Sequence, residues 1–359
     1  MPKFNELTVK DIRRETDDCV SIAFDVPAYL LEAYHYTQGQ YLTVKKDING
    51  EEIRRSYSIC TSPAEGELRV AVKKVPGGRF STFANEELQI GDRLEVMTPM
   101  GRFFTTLSTE HENDYVAFAA GSGITPIMSI MKTVLLKEPK SSFTLFYGNR
   151  ATDSIIFREQ IEALKNTFMG RLSVHHILSR EQQDSDLFNG RIDGQKCAEF
   201  CKRFFDPTSV DAYFLCGPFS MIESVKEQLI GQGVKKEKIH FELFTTDAVP
   251  KVNKKIKEET ALKAEDIEAM ITLTLDGSSF EFPLSSKGDT ILDAALKAGA
   301  DLPFSCKGGV CSTCRAKVVS GEVNMDVNYA LEEEEVEQGY VLTCQSHPRT
   351  DSVHVDFDS

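Results

Sequence analysis

Residues 305–314 read Ser305-Cys306-Lys307-Gly308-Gly309-Val310-Cys311-Ser312-Thr313-Cys314, and a fourth cysteine follows in Tyr340-Val341-Leu342-Thr343-Cys344-Gln345. The spacing is C-x4-C-x2-C-x29-C. Four thiolates in this pattern hold a [2Fe–2S] cluster. Three come from one tight loop and one from a distant segment, so a small inorganic core is wrapped from two sides. The residues between the loop cysteines are mostly small, which lets backbone N–H groups approach the sulfur atoms and stabilise their charge. A zinc site is the alternative. Zinc ribbons usually pair two C-x2-C knuckles, whereas here one gap has four residues and Cys344 stands alone.

Upstream, Ile271-Thr272-Leu273-Thr274-Leu275, Asp276-Gly277 and Phe280-Glu281-Phe282 carry a hairpin signature. Thr290 can cap a helix bearing Ile291, Leu292, Ala295 and Leu296. Residues 268–359 are expected to form one domain, and the charged, weakly periodic stretch 247–267 a linker. Residues 109–246 alternate between short apolar runs and amphipathic stretches. Strands are expected at 115–120, 143–147, 172–178 and 212–216, and helices at 127–135, near 155–164 and at 221–232. That alternation predicts a doubly wound α/β parallel sheet. Residues 1–108 show short alternating runs, Leu42–Val44, Leu68–Val72 and Leu94–Val96, broken by turn signals such as Asn49-Gly50 and Pro76-Gly77-Gly78. They predict an antiparallel β-barrel or sandwich.

The chain has 359 residues, 41 Lys plus Arg and 55 Asp plus Glu, for a formal charge of -14. The balance argues against non-specific nucleic-acid binding, which needs a cationic surface. The segment 268–359 holds 16 acids and 6 bases, which suits either a basic docking partner or a solvated face. No apolar run reaches membrane-spanning length, and the N-terminus lacks a signal-peptide pattern. A soluble cytoplasmic protein without a membrane partner is the expectation. In such a protein clustered cysteines bind metal more often than they form disulfides. The spellings Glu32-x-x-His35 and Glu237-x-x-His240 lie among strand-like runs, not on the paired helices a di-iron site uses.

Three further motifs precede the cysteines. Arg55-Ser56-Tyr57-Ser58 ends a predicted barrel strand, and Gly77-Gly78-Arg79-Phe80-Ser81 follows it. Gly121-Ser122-Gly123-Ile124-Thr125-Pro126 joins a strand to a helix, and Cys216-Gly217-Pro218 ends another strand. They resemble the R-x-Y-S flavin motif, the second phosphate loop, the G-x-G-x-T-P turn and the nicotinamide-side cysteine of the ferredoxin–NADP reductase superfamily. The resemblance implies that Arg55 pairs with the FAD pyrophosphate, that Tyr57 stacks on the isoalloxazine, and that Ser58 hydrogen-bonds near flavin N5. Gly78, Arg79, Phe80 and Ser81 would cradle the pyrophosphate. Gly121 and Gly123 would let a dinucleotide lie close, with the helix N-terminus facing its pyrophosphate. Thr125 would sit near the flavin–nicotinamide contact, and Cys216 and Gly217 beside the nicotinamide. Tyr57, Ser58 and Cys216 are the expected catalytic residues. Phe244 either covers the flavin or packs in the core. Arg150, Arg180 and Arg191 are candidates for a 2′-phosphate, so NADPH is expected ahead of NADH. Taken singly, each motif has a plainer explanation: an exposed strand, a Gly-Gly turn, a buried thiol, solvated arginines.

Their order along the chain joins them. The chain resembles the oxygenase-reductase branch of that superfamily with a C-terminal plant-type ferredoxin. The stretches carrying the likeness include Glu52–Cys60, Ile291–Leu296 running on to Lys307–Cys311, and Val355-Asp356-Phe357-Asp358. The resemblance implies a multidomain protein: an FAD-binding β-barrel, an NADP-binding α/β domain and an α+β β-grasp ferredoxin. FAD, a [2Fe–2S] cluster and NADPH are the implied cofactors, and di-iron oxygenase subunits the implied partner. A ring-hydroxylating or alkane oxygenase partner stays open. So does an electron-transfer module without nicotinamide turnover.

Overall fold

The computed structural model describes residues 3–244 and 266–359. Strands β1 (Phe4–Thr16), β2 (Cys19–Asp25), β3 (Tyr41–Ile48), β4 (Glu51–Ser58), β5 (Leu68–Lys73) and β6 (Arg93–Met97) form one antiparallel sheet, in the order β4-β3-β6-β1-β2-β5. Its ends meet: Ile59 bridges Val70, and the Cys60 N–H donates to the Arg69 carbonyl at 2.9 Å. Closure removes the edge that an open sheet would expose. Alternate residues, Leu7 and Val9, Leu42 and Val44, Val70 and Val72, Leu94 and Val96, are buried, as the two-residue strand period demands. Asn49 and Gly50, both at positive φ, make the two-residue turn between β3 and β4. Helix α1 (Arg79–Glu86) packs Phe80 and Ala84 into the same core.

A parallel sheet follows: β7 (Asp114–Ala120), α2 (Ile124–Lys137), β8 (Ser142–Asn149), α3 (Arg158–Thr167), β9 (Leu172–Leu178), α4 (Gly194–Phe204), β10 (Ala212–Cys216), α5 (Phe219–Gly231) and β11 (Ile239–Glu242). Its order is β11-β10-β7-β8-β9. The winding reverses between β7 and β10, and a crevice for ligands opens beyond the carboxyl ends of strands at such a point. Two sequence expectations shift here. The helix expected near 155–164 begins at Arg158, because Ile155, Ile156 and Phe157 are buried in its lead-in and Phe157 takes a left-handed backbone at φ 61°. Helix α4 is an addition to the expected elements. Its buried stripe is Cys197, Phe200 and Cys201, and two of those three residues do not stand out as apolar. The parallel connection from β9 to β10 nonetheless requires a crossover of that kind. Barrel and parallel sheet lie in one compact unit, Phe4–Glu242.

The second unit carries β12 (Glu268–Leu275), β13 (Ser278–Ser285), α6 (Ile291–Lys297), β14 (Arg315–Ser320), β15 (Val323–Met325), α7 (Glu333–Glu337), β16 (Tyr340–Leu342), β17 (Ser346–Pro348) and β18 (Ser352–Asp356). Five strands form a mixed sheet, β13-β12-β18-β14-β16, in which only β12 and β18 run parallel; β15 and β17 pair separately. The sheet packs on α6 through Ile291, Leu292 and Ala295. The expected hairpin turn is present, with Asp276 and Gly277 at positive φ. Thr290 Oγ1 accepts the Asp293 N–H at 3.2 Å, capping α6. The acidic run Glu332–Glu335 is exposed at its first three residues only. Glu335 is buried and pairs with Arg315 Nε at 3.0 Å. Of the expected linker 247–267, residues 247–265 lie outside the described residues. No helix among the described residues is long and apolar enough to cross a membrane.

Candidate functional site

Strand β4 delivers the flavin motif. Arg55 is exposed, Tyr57 is half-buried, and Ser58 is buried at the strand end. The Tyr57 ring lies 5.6 Å from that of Phe80, centroid to centroid. Phe80 is therefore a core residue that backs Tyr57, with only its backbone available to an anion. Gly78 caps α1, and a Cβ there would strike Ser81 Oγ and Val75 Cγ2. Ser81 Oγ accepts the Val75 N–H at 3.2 Å and so shapes the turn. The Arg79 guanidinium donates to Glu51 and to the Ile48 carbonyl. What this turn can offer a phosphate is the set of N–H groups that opens α1, which no helical carbonyl satisfies. The turn suits a pyrophosphate, and Arg55 is exposed on β4, the strand whose Tyr57 ring meets Phe80 of α1.

The nucleotide motifs converge at the winding reversal. Gly121–Gly123 leaves β7 and leads into α2, while Cys216-Gly217 leaves the neighbouring strand β10. A Cβ on Gly123 would strike the Cys216 carbonyl, and one on Gly217 would lie 2.6 Å from Met221 Cε. Only glycine lets the two chain segments approach so closely. The Thr125 hydroxyl donates to the Ser122 carbonyl at 3.1 Å and is buried, so Thr125 shapes the turn. Cys216 is fully buried, and burial pushes its thiol well above the ordinary range. Arg150, Arg180 and Arg191 are all exposed. The first two meet where the Arg180 N–H donates to the Arg150 carbonyl at 2.8 Å. The bridge between Leu178 and Asn189 brings the Arg191 loop alongside β9. These placements suit an anionic dinucleotide. Phe244 follows β11 and is 38% exposed, so it is not a core residue.

One residue of the site carries no motif in the sequence. Ser58 Oγ donates to Glu242 Oε2 at 2.9 Å, joining the flavin motif to the end of β11. Burial pushes the Glu242 carboxyl up to about 7, against the pull of the Ser58 hydrogen bond. Glu242 also acts electrostatically on Cys216. The only sequence signal is an acid closing a short strand, His240-Phe241-Glu242.

In the second unit the four clustered cysteines form two pairs. Cys306 and Cys311 have their sulfur atoms 3.1 Å apart, and Cys314 is hydrogen-bonded with Cys344. The Gly308 N–H donates to Cys306 Sγ at 3.3 Å. The Cys311 thiol, with backbone N–H groups of the loop, holds Cys306 below the ordinary thiol range; the Cys314 thiol does the same for Cys344. Lys307 and Gly309 take positive φ, which turns the loop tightly. Among the described residues no group of three or more ligating side chains is arranged around one ion. Two thiol pairs suit two irons with two thiolates each better than one tetrahedral zinc.

Comparison with known proteins agrees with this division. Residues 6–105 match an oxidoreductase FAD-binding domain, residues 118–227 an oxidoreductase NAD-binding domain, and residues 273–349 a 2Fe-2S iron-sulfur cluster binding domain. The chain is 44% identical to a subunit of 1,2-phenylacetyl-CoA epoxidase from Escherichia coli (strain K12), over 100% of this chain and 99% of that protein. It is 32% identical to the ferredoxin reductase component of 3-ketosteroid-9-alpha-monooxygenase of Mycobacterium tuberculosis (strain ATCC 25618 / H37Rv), over 98% of this chain and 96% of that one. Among solved structures, phthalate dioxygenase reductase shares the fold with a TM-score of 0.58 at 21% identity, over 99% of this chain and 98% of that chain. A flavin turn, a dinucleotide crevice and a four-thiol site thus follow one another in a single polypeptide, and the chain belongs to the family of oxygenase reductase components within the ferredoxin–NADP reductase superfamily.

Proposed function

We propose that this protein draws electrons from NADPH and passes them through FAD and a [2Fe–2S] cluster to a di-iron oxygenase acting on phenylacetyl-CoA. The observation that carries the flavin half is the Ser58–Glu242 hydrogen bond. It brings the end of the R-x-Y-S strand to a carboxylate paired across the sheet with Cys216, at the mouth of the dinucleotide crevice. Two thiol pairs in the second unit carry the other half.

When bound, the flavin takes a hydride as an electron pair and releases electrons singly to the iron–sulfur cluster. The chain's own residues bind and orient. Arg55 and the N–H groups opening α1 hold the pyrophosphate. Tyr57, backed by Phe80, gives the ring system a flat wall. Ser58 holds its hydroxyl at the strand end, oriented by Glu242. Gly123 and Gly217 let the two strand ends pack closely, so that a nicotinamide lying over that turn comes beside the Cys216 thiol, which burial keeps protonated. Arg150, Arg180 and Arg191 offer cationic partners to a 2′-phosphate, which favours NADPH. The 44% identity to the phenylacetyl-CoA epoxidase subunit supports that oxygenase as partner.

The test is reconstitution. The purified chain, mixed with candidate oxygenase subunits and phenylacetyl-CoA, should support NADPH-dependent epoxide formation. Turnover with another oxygenase and none with this one would replace the substrate. No NADPH-dependent reduction of cytochrome c would remove the reductase function itself.

A further inference from the structure

Cys344 is separated from the cysteine loop by 29 residues, so its distance to the other three ligands is set by contacts rather than by chain connectivity. The two residues flanking it make those contacts. Thr343 reaches its own side of the site: its N–H and its Oγ1 both donate to the Cys314 carbonyl, at 3.1 and 2.9 Å. Gln345 reaches across. Its Nε2 donates to the Lys307 carbonyl at 3.0 Å and to the Cys344 carbonyl at 2.8 Å, and it approaches Cys344 Sγ at 3.7 Å.

The far end of that reach is a pinned turn. Lys307 follows Cys306 with a left-handed backbone, φ 51°. Its Nζ pairs with Asp293 Oδ1 at 2.7 Å and lies over the Phe304 ring at 4.7 Å. The Gln345 stem packs where a Cβ on Gly309 would lie 3.3 Å from its Cγ. The Gln345 carbonyl accepts the Asp326 N–H at 2.7 Å. Gln345 is thus held at both ends between the Cys306/Cys311 pair and Cys344.

We propose that Gln345 is the positioning residue that sets the gap between the two thiolate pairs and tunes the cluster by directing an amide N–H toward the Cys344 sulfur. A donor there stabilises negative charge, and more of it accumulates when the cluster is reduced. Hydrogen bonds to the sulfur ligands raise the reduction potential for that reason. The inference rests on the cluster assignment. Iron and sulfide analysis of the parent protein tests that assignment separately, before any variant is compared.

The experiment uses the full chain reconstituted with iron and sulfide, as parent, Gln345→Leu and Gln345→Glu. Leucine keeps much of the bulk without a donor; glutamate keeps the shape and sets a charge against the Lys307 carbonyl. Midpoint potentials come from spectroelectrochemical titration, and cluster retention from the loss of visible absorbance to a chelator. FAD content and circular dichroism confirm folding. The expected result is a lower potential in both variants, lowest in Gln345→Glu, with cluster loss about tenfold faster. Unchanged potentials in both variants overturn the tuning role, even if loss is faster. Unchanged potentials and unchanged loss overturn the inference as a whole.

Discussion

Replacing Glu242 with glutamine isolates the cost of a charge held at the junction of barrel and nucleotide crevice. Burial pushes this carboxyl up to about 7 from an ordinary value of 4.5, with the Ser58 hydrogen bond pulling it back. In the unfolded chain the carboxyl gives up its proton near 4.5. Between that value and about 7 the folded chain binds the proton more tightly than the unfolded chain does. The contribution of Glu242 to stability is therefore complete below about pH 4.5, falls as pH rises through the window, and is lost above about pH 7. A difference of one pH unit corresponds to about 1.4 kcal/mol, so the ionised form costs at most about 3 kcal/mol. The amide that Glu242→Gln introduces is close in shape, keeps an oxygen for Ser58, and has no such slope. The stability gap between Glu242→Gln and the parent should start near zero at acid pH and widen to about 3 kcal/mol by pH 8. Urea unfolding across that range at a fixed saturating FAD concentration reads the gap. Circular dichroism is the probe, because the chain has no tryptophan. Parallel pH profiles for the two proteins would refute the assignment of a proton-holding Glu242.

Cys344→Ser should drop iron content from about two per chain while FAD content stays at the parent level; metal analysis and the visible spectrum check both. Cys216→Ala should slow flavin reduction by NADPH several-fold, on the order of 1 kcal/mol in barrier, with FAD still bound. Unchanged stopped-flow traces would take Cys216 out of the nicotinamide site. Arg180→Glu should raise KM for NADPH about tenfold, near 1.4 kcal/mol, and change KM for NADH little. An equal rise for both nucleotides would show that Arg180 does not read the 2′-phosphate.

Much of the fold is legible because its signals are local. The C-x4-C-x2-C loop, the glycines at 121 and 123, and Asp276-Gly277 each specify a backbone path that few other residues permit. Helix α4 is not legible because its buried face is built around Cys197 and Cys201, which do not read as an apolar stripe. Glu335 leaves the exposed face of its acidic run to pair with Arg315, and nothing near it in the chain announces that pairing. Arg79 sits in the expected phosphate turn, yet its side chain is committed to Glu51 and the Ile48 carbonyl. That commitment depends on the β3–β4 turn lying beside α1.

The sequence by itself determined which chemistry the chain is built for, and in what order: a flavin turn, a dinucleotide turn, then four thiols. Short-range spacing suffices there, because turns and ligand loops are set by a handful of adjacent φ and ψ angles. Tertiary structure alone decided how those parts are poised. It joined Ser58 to Glu242 across 184 positions of sequence, and sorted four cysteines into two pairs. It also laid the Gln345 amide between the Lys307 turn and Cys344. Proton affinity and ligand spacing depend on burial and on contacts between remote segments, and only the folded chain creates those.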